Sequence, residues 1–198
     1  MANKREILMP GGFYHIYNRA NADDLLFTDE REYTLFLQKY FLYSNCILKT
    51  HGYCLLSNHF HFLVQVRTEP ELIRNIGVFK DDKARSNHMA QHLGNFFNWY
   101  ATYFNKKHTR KGSLFIHSFH RKPINDQLYL NMVSCYIHAN PIKAGICQRY
   151  EEWKFSSFRE YSDRPDYIFK INIQQTLEWF DGIENFKEVH LQYIFSKT

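Results

Sequence analysis

Hydrophobic positions along this chain switch between a period of two and a period near 3.6, and the switches divide it into strands and helices. Pro10-Gly11-Gly12 is a turn signal, and Phe13-Tyr14-His15-Ile16-Tyr17 after it has the aromatic content of a strand. Asp29 with Glu32 resembles a capping box, and Tyr33, Phe36, Leu37, Tyr40 and Phe41 follow at helical spacing. Residues 46–56 and 60–67 read as two strands joined by a tight turn at Ser57-Asn58; 68–86 is polar and irregular, with Asp81-Asp82-Lys83 exposed. Ser86 is placed to cap a second long helix, with Met89, Leu93, Phe96, Phe97, Tyr100 and Phe104 on its buried side. Ser113–Phe119 is a fourth strand, and Asp126 caps a third helix through about Ala139, with Leu128, Met132, Val133 and Tyr136 among its apolar positions. Asn140-Pro141 marks that helix's end or a kink, because a residue before proline avoids the helical region. The order β-α-β-β-α-β-α predicts an α+β fold, a ferredoxin-like antiparallel sheet with helices on one face. Trp153, Phe155 and Phe158, beyond Tyr150, are expected to pack back onto it.

Composition narrows the class but not the activity. With 198 residues, 44% hydrophobic and 18% aromatic, the chain fits one folded domain with at most an appendage, and not a disordered one. Lys and Arg number 25 against 20 acids, a net charge of +5 that permits a polyanionic partner without requiring one. Cys46, Cys54, Cys135 and Cys147 form no C-x-x-C pair and read as reduced thiols. No run approaches a membrane span, so a cytoplasmic protein with no membrane partner is expected.

Candidate chemistry concentrates at two places. In His59-Phe60-His61 the period of a strand turns both imidazoles to one face, with Leu63 and Gln65; Phe60, Phe62, Val64 and Val66 form the apolar opposite face. Taken alone, such a pair is either a metal site or two hydrogen-bonded histidines. Tyr136 and Asn140, four apart, lie one turn from each other on one helical face. If that face packs near the histidines, two imidazoles and an amide oxygen make an incomplete shell for a divalent cation, completed by water and a substrate phosphate. Such a shell suits Mg²⁺ or Mn²⁺ in phosphate chemistry, while the imidazoles alone would also accept Zn²⁺ or Ni²⁺. A phenol is a poor nucleophile at its ordinary pKa of about 10, and becomes competent beside a cation that neutralises the phosphate.

In these residues the chain resembles the single-tyrosine HUH transposases, and among them the REP-associated tyrosine transposases, similar to the insertion-sequence enzymes that move single-stranded DNA. The matching stretches are Tyr14–Asn21, Asn58-His59-Phe60-His61, Arg110–Phe115, Tyr136–Gly145 and Trp153–Phe158, spread over residues 10–160. The chain departs from the family at the turn, where Leu56-Ser57-Asn58-His59 stands for the frequent Met-Pro-Asn-His. The resemblance implies an HUH endonuclease type of domain over 1–150, with 151–198 as a tail packed on it. It implies that His59 and His61 bind Mg²⁺ or Mn²⁺ with Asn140 as third ligand. Tyr136 would attack the scissile phosphate to give a 5′-phosphotyrosine and a free 3′-hydroxyl. The implied partner is single-stranded DNA carrying a hairpin. The protein would be a monomer or a homodimer, since this branch uses the tyrosine within its own chain and the insertion-sequence enzymes swap that helix.

Other residues weigh for or against that reading. Lys106, Lys107, Arg110 and Lys111 form a basic loop that is either a solvated surface or a contact to DNA phosphates, and Arg121 and Lys122 could extend it. Arg19 and Asn21 are candidates for positioning DNA, and Phe115 and Phe119 either stack on bases or belong to the core. Tyr100 reads as core and Tyr103 as a rival nucleophile. His15 reads as an ordinary hydrogen-bonded histidine, with support of the site as the alternative; His138 has no ligand role. The leading function is a DNA-cleaving and DNA-joining enzyme acting on single strands beside an imperfect hairpin. A domesticated hairpin-binding protein without catalysis is the alternative. A water-using phosphoester hydrolase ranks third, because no carboxylate stands at an obvious spacing from the histidines to act as base.

Overall fold

The computed structural model describes residues 6–161 and 169–196. Its centre is a four-stranded antiparallel sheet in the order β2-β3-β1-β4, formed by β1 (Phe13–Arg19), β2 (Leu48–Leu56), β3 (His59–Val66) and β4 (His120–Ile124). The β2–β3 hairpin turns at Ser57-Asn58, and backbone bonds pin the turn: Ala20 N donates to Asn58 O at 2.7 Å, and Leu26 N to Ser57 O at 2.7 Å. Helices α1 (Glu30–Ser44) and α3 (Asp82–Lys107) cover one face, where Phe60, Phe62, Val64 and Val66 meet Phe36, Phe96, Phe97 and Tyr100 in the main core.

The α+β class and the antiparallel sheet are as expected. The placement of all helices on one face holds for α1 and α3 but not for α4 (Gln127–Lys143), which lies on the opposite face. There Leu130, Val133 and Ile137 of α4 pack on Cys54, Leu56, Leu63 and Ile124. Leu63 shares its strand face with His59 and His61, so α4 covers the histidine side. Asp126 caps α4, its carboxylate accepting from Tyr129 N at 2.7 Å. The helix runs past Ala139 to Lys143, with Pro141 in its last turn.

Three boundaries differ from the sequence pattern. The 68–86 segment contains α2 (Glu69–Ile76), whose capping box joins Thr68 and Glu71. Helix α3 starts at Asp82 under an Asp81 cap, and Ser86 is buried inside it, accepting from Leu8 N at 2.9 Å. The fourth strand is not Ser113–Phe119. That segment buries two consecutive residues, Leu114 and Phe115, and holds β1's end by one bridge, Ala20 to Phe115. The ladder begins only where Tyr17 meets His120.

Beyond a 3-10 turn at Tyr150–Glu152, the chain forms α5 (Phe158–Tyr161), α6 (Ile173–Glu178) and α7 (Ile183–Phe195). Residues 153–157 shield the exposed edge of β2: Leu55 N donates to Phe155 O at 2.9 Å, and Trp153 Nε1 to Leu55 O at 2.8 Å. Phe158, Tyr161, Phe180 and Phe186 build a further cluster against Cys135 and Ala139 of α4.

Candidate functional site

Strand β3 sets His59 and His61 on the α4 side of the sheet, their ring centroids 5.1 Å apart. The antiparallel register places Tyr17 opposite His61 and Arg19 opposite His59, so β1 contributes its own same-face residues, His15, Tyr17 and Arg19. Helix α4 brings Tyr136 over this face, with its ring 5.4 Å from His61 and 5.9 Å from His15, both edge-on. Asn140 stands one turn on along α4, and its Nδ2 donates to Tyr136 O at 2.7 Å. A cavity of about 330 Å³ opens here, with Arg19, Asn58, His59, His61 and Tyr136 among its walls.

The hydrogen bonds of the two imidazoles leave specific atoms over. His59 Nδ1 meets Asn58 Oδ1 at 2.7 Å, and His61 Nδ1 meets His15 Nε2 at 2.9 Å. His61 Nε2 is buried with no hydrogen-bond partner. A proton there would be an orphaned donor, costing about 1–3 kcal/mol; a lone pair there is an open coordination position. With the proton on Nδ1 donated to His15, the lone pair on Nε2 is fixed. Burial pushes His61 well below the usual histidine range, with His15 and His59 adding to the effect, and pushes His59 down as well. Burial likewise lowers His15 to about 4, so all three rings are neutral near pH 7, the state a metal ligand needs.

The donor set therefore fits a divalent cation held by His59, His61 and Asn140. It contains two imidazoles and an amide only; among the described residues no group of three or more His, Cys, Asp or Glu side chains is placed to hold a metal. Burial raises the Tyr136 phenol, and its hydrogen bond from Asn140 offsets this only in part. Lys143, two turns along α4, sets its ammonium 5.6 Å from the Tyr136 ring centre and 4.4 Å from that of Tyr193.

Of the proposed DNA contacts, Arg19 alone lines the cavity. Lys107 is paired with Asp29 and with buried Glu32, both at 2.8 Å, and Arg110 is paired with Asp24. Lys106 and Lys107 belong to the last turn of α3 and not to a loop; Lys106 is exposed there, as are Lys111 beyond the helix and Asn21 beyond β1. On β4, Lys122 lies on the site's face with its ammonium 4.9 Å from the Tyr129 ring centre, while Arg121 lies on the other face beside Phe119. Phe115 belongs to the main core and Phe119 packs at its margin. Tyr100 is core, donating to Leu26 O at 2.5 Å, and Tyr103 lies on α3, across the sheet from the histidines. His138 is a buried residue of α4, bonded to His190 and Ser157.

Sequence reasoning missed Tyr17 and His120, whose rings stack 5.0 Å apart in the cavity wall. Tyr17 was within reach, since it follows His15 by one strand period. His120 was not, because the sequence pattern puts the fourth strand at Ser113–Phe119, whereas β4 begins at His120. His15 is hydrogen-bonded, as its sequence context indicates, and its partner is His61.

Among the described residues no helix is long and apolar enough to cross a membrane. No protein-family profile and no curated protein matches the chain by sequence. A solved structure does match: a REP-associated tyrosine transposase bound to a REP hairpin, at a TM-score of 0.60 and 16% identity, covering 87% of this chain and 93% of that one. The chain is thus built on the fold of a REP-associated tyrosine transposase, the family its motifs resemble.

Proposed function

We propose that this protein cleaves and rejoins single-stranded DNA beside a hairpin, using Tyr136 as the nucleophile. The observation that carries the reading is the meeting, in one cavity, of His59, of His61 with its orphaned Nε2, and of the Tyr136 ring, with Asn140 one turn from Tyr136 on the same helix. His59, His61 and Asn140 would hold Mg²⁺ or Mn²⁺, which supplies neutralisation of the phosphate's charge. Tyr136 Oη forms the new bond to phosphorus and loses its proton, the bond from phosphorus to O3′ breaks, and the 3′ oxygen takes up a proton. The resulting 5′-phosphotyrosine conserves the energy of the broken ester, so a 3′-hydroxyl can reverse the step and join strands. Arg19 is placed to grip a neighbouring phosphate, and the stacked Tyr17 and His120 offer a ring face to an unpaired base. His15 holds His61 in the tautomer that presents Nε2.

The fold match adds support, since the matching protein was solved on a REP hairpin. Incubating the protein with a hairpin oligonucleotide carrying an unpaired extension, with Mn²⁺, tests the reading. Wild type is expected to form a denaturation-resistant protein–DNA adduct. Tyr136→Phe is expected to form none, and Tyr103→Phe to match wild type. Salt-sensitive hairpin binding with no adduct under Mg²⁺ or Mn²⁺ would instead identify a binding protein without catalysis.

A further inference from the structure

We propose that the cleft between α3 and the 112–119 loop is a binding site for the unpaired nucleotides that continue the scissile strand. The proposal rests on the strand-transfer reading and adds to it the path of the DNA away from Tyr136. The cleft encloses about 1040 Å³, roughly three times the cavity at the histidines, which encloses about 330 Å³. Asn18 and Ile116 line both spaces. They sit where β1 runs on past the start of β4, so both spaces border the 116–119 loop at the sheet's edge. A strand whose phosphate reaches Tyr136 can round this edge and enter the cleft without leaving the protein.

The walls match that occupant chemically. Among the described residues none that lines either space is an Asp or Glu, so a phosphate backbone meets no carboxylate of those walls. Lys83 stands at one end of the α3 wall and Arg121 on the facing side. Asn87 and Asn98 are exposed on the cleft face of α3, with donors and acceptors suited to base edges. Ala90, Gly94 and Ala101 lie between and beyond them, so no large side chain fills the space. The facing wall carries the half-buried Phe119 ring, a surface on which a base can stack. From Lys83 to Ala101 the helix runs about 27 Å, room for several nucleotides at a stacked rise of about 3.4 Å.

Gly94 allows a direct test, because a Cβ built there meets nothing within 4 Å. Gly94→Trp should fill the cleft while the fold stands, which its thermal melt will check. Asn87→Ala/Asn98→Ala is a second, smaller perturbation. Two probes are compared by fluorescence anisotropy: a blunt hairpin, and the same hairpin with a single-stranded extension. Gly94→Trp is expected to weaken binding of the extended hairpin by about tenfold or more and to leave the blunt hairpin within about twofold. The double variant should act in the same sense, by less. Equal losses on both probes would put the duplex stem in the cleft and overturn the proposal, as would no loss on either from both variants. If wild type forms no tyrosine adduct yet Gly94→Trp removes the benefit of the extension, the cleft assignment stands and the strand-transfer reading falls.

Discussion

Glu32 shows how a single buried carboxylate decides what a basic segment can do. Its side chain has no exposure and accepts from Thr28 N and Oγ1, Lys107 Nζ and His108 Nε2. Burial pushes this acid up, yet the bonds from Lys107, Thr28 and His108 outweigh it and hold it below the usual range. Glu32→Gln is therefore expected to cost about 1–3 kcal/mol in urea unfolding, because one of two buried acceptor oxygens becomes an amide NH₂ that faces donors. The same pairing divides the cations at the end of α3 and just beyond it. Lys106→Ala and Lys111→Ala should each lower the salt slope of hairpin binding by about 1, whereas Lys107→Ala should mainly lower stability. An equal slope change in all three variants would contradict this division. For His15, replacement by Ala frees the His61 ring to choose its tautomer. Calorimetric titration with Mn²⁺ should then show affinity about tenfold weaker, with the far-ultraviolet circular dichroism unchanged.

At the scale of elements, α4 has two tasks: it closes the core on the histidine face and carries the phenol. The cap at Asp126 fixes where it starts, and Asp126→Ala should cost about 1 kcal/mol. Ile137, fully buried against the sheet, lies one residue from Tyr136. Ile137→Ala should cost about 2–5 kcal/mol and loosen the phenol's seat, read as a fall in adduct formation at temperatures where the variant is still folded. Strand β4 pairs with β1 alone, which explains its composition. Pro123 is tolerated because an edge strand needs to donate on one side only, and the charged Arg121 and Lys122 discourage pairing with another chain.

Across the whole molecule, buried histidines set the response to acid. His190 is held at about 4 and His51 at about 3, each by burial, and His138 lies well below the usual range. Free histidine titrates near 6.5, so below that pH the unfolded chain takes up protons that the folded chain refuses. Stability is therefore full above about pH 6.5 and falls as pH drops toward 4, by up to about 1.4 kcal/mol per unit for each histidine. Glu160, raised to about 7 by burial, works in the opposite direction between pH 7 and its usual range and offsets about one of them. Urea midpoints measured from pH 7 to pH 5 should fall steeply, and His190→Gln should flatten the slope. A midpoint independent of pH over that interval would contradict the account. His138, His190 and Ser157 form one buried chain of hydrogen bonds linking α4, α7 and the segment along β2, so acid should release the C-terminal helices and the α4 packing together.

The site's main residues were legible because they are local. His59 and His61 share a face by strand period, Tyr136 and Asn140 share a face by helix period, and the α1 and α4 caps are signalled within four residues of sequence. The β4 boundary was obscured because Leu114 and Phe115 look like strand residues yet are buried as a loop, while the true strand reads His-Arg-Lys-Pro-Ile. By itself the sequence determined the α+β class, the hairpin and the pair of imidazoles, since each follows from periodicity within one segment. Only the tertiary structure decided that α4 crosses to the histidine face, that His15 bonds to His61 and that Lys107 is spent on Glu32. Those facts depend on contacts between residues far apart in the chain, and no local spacing encodes which distant partners meet.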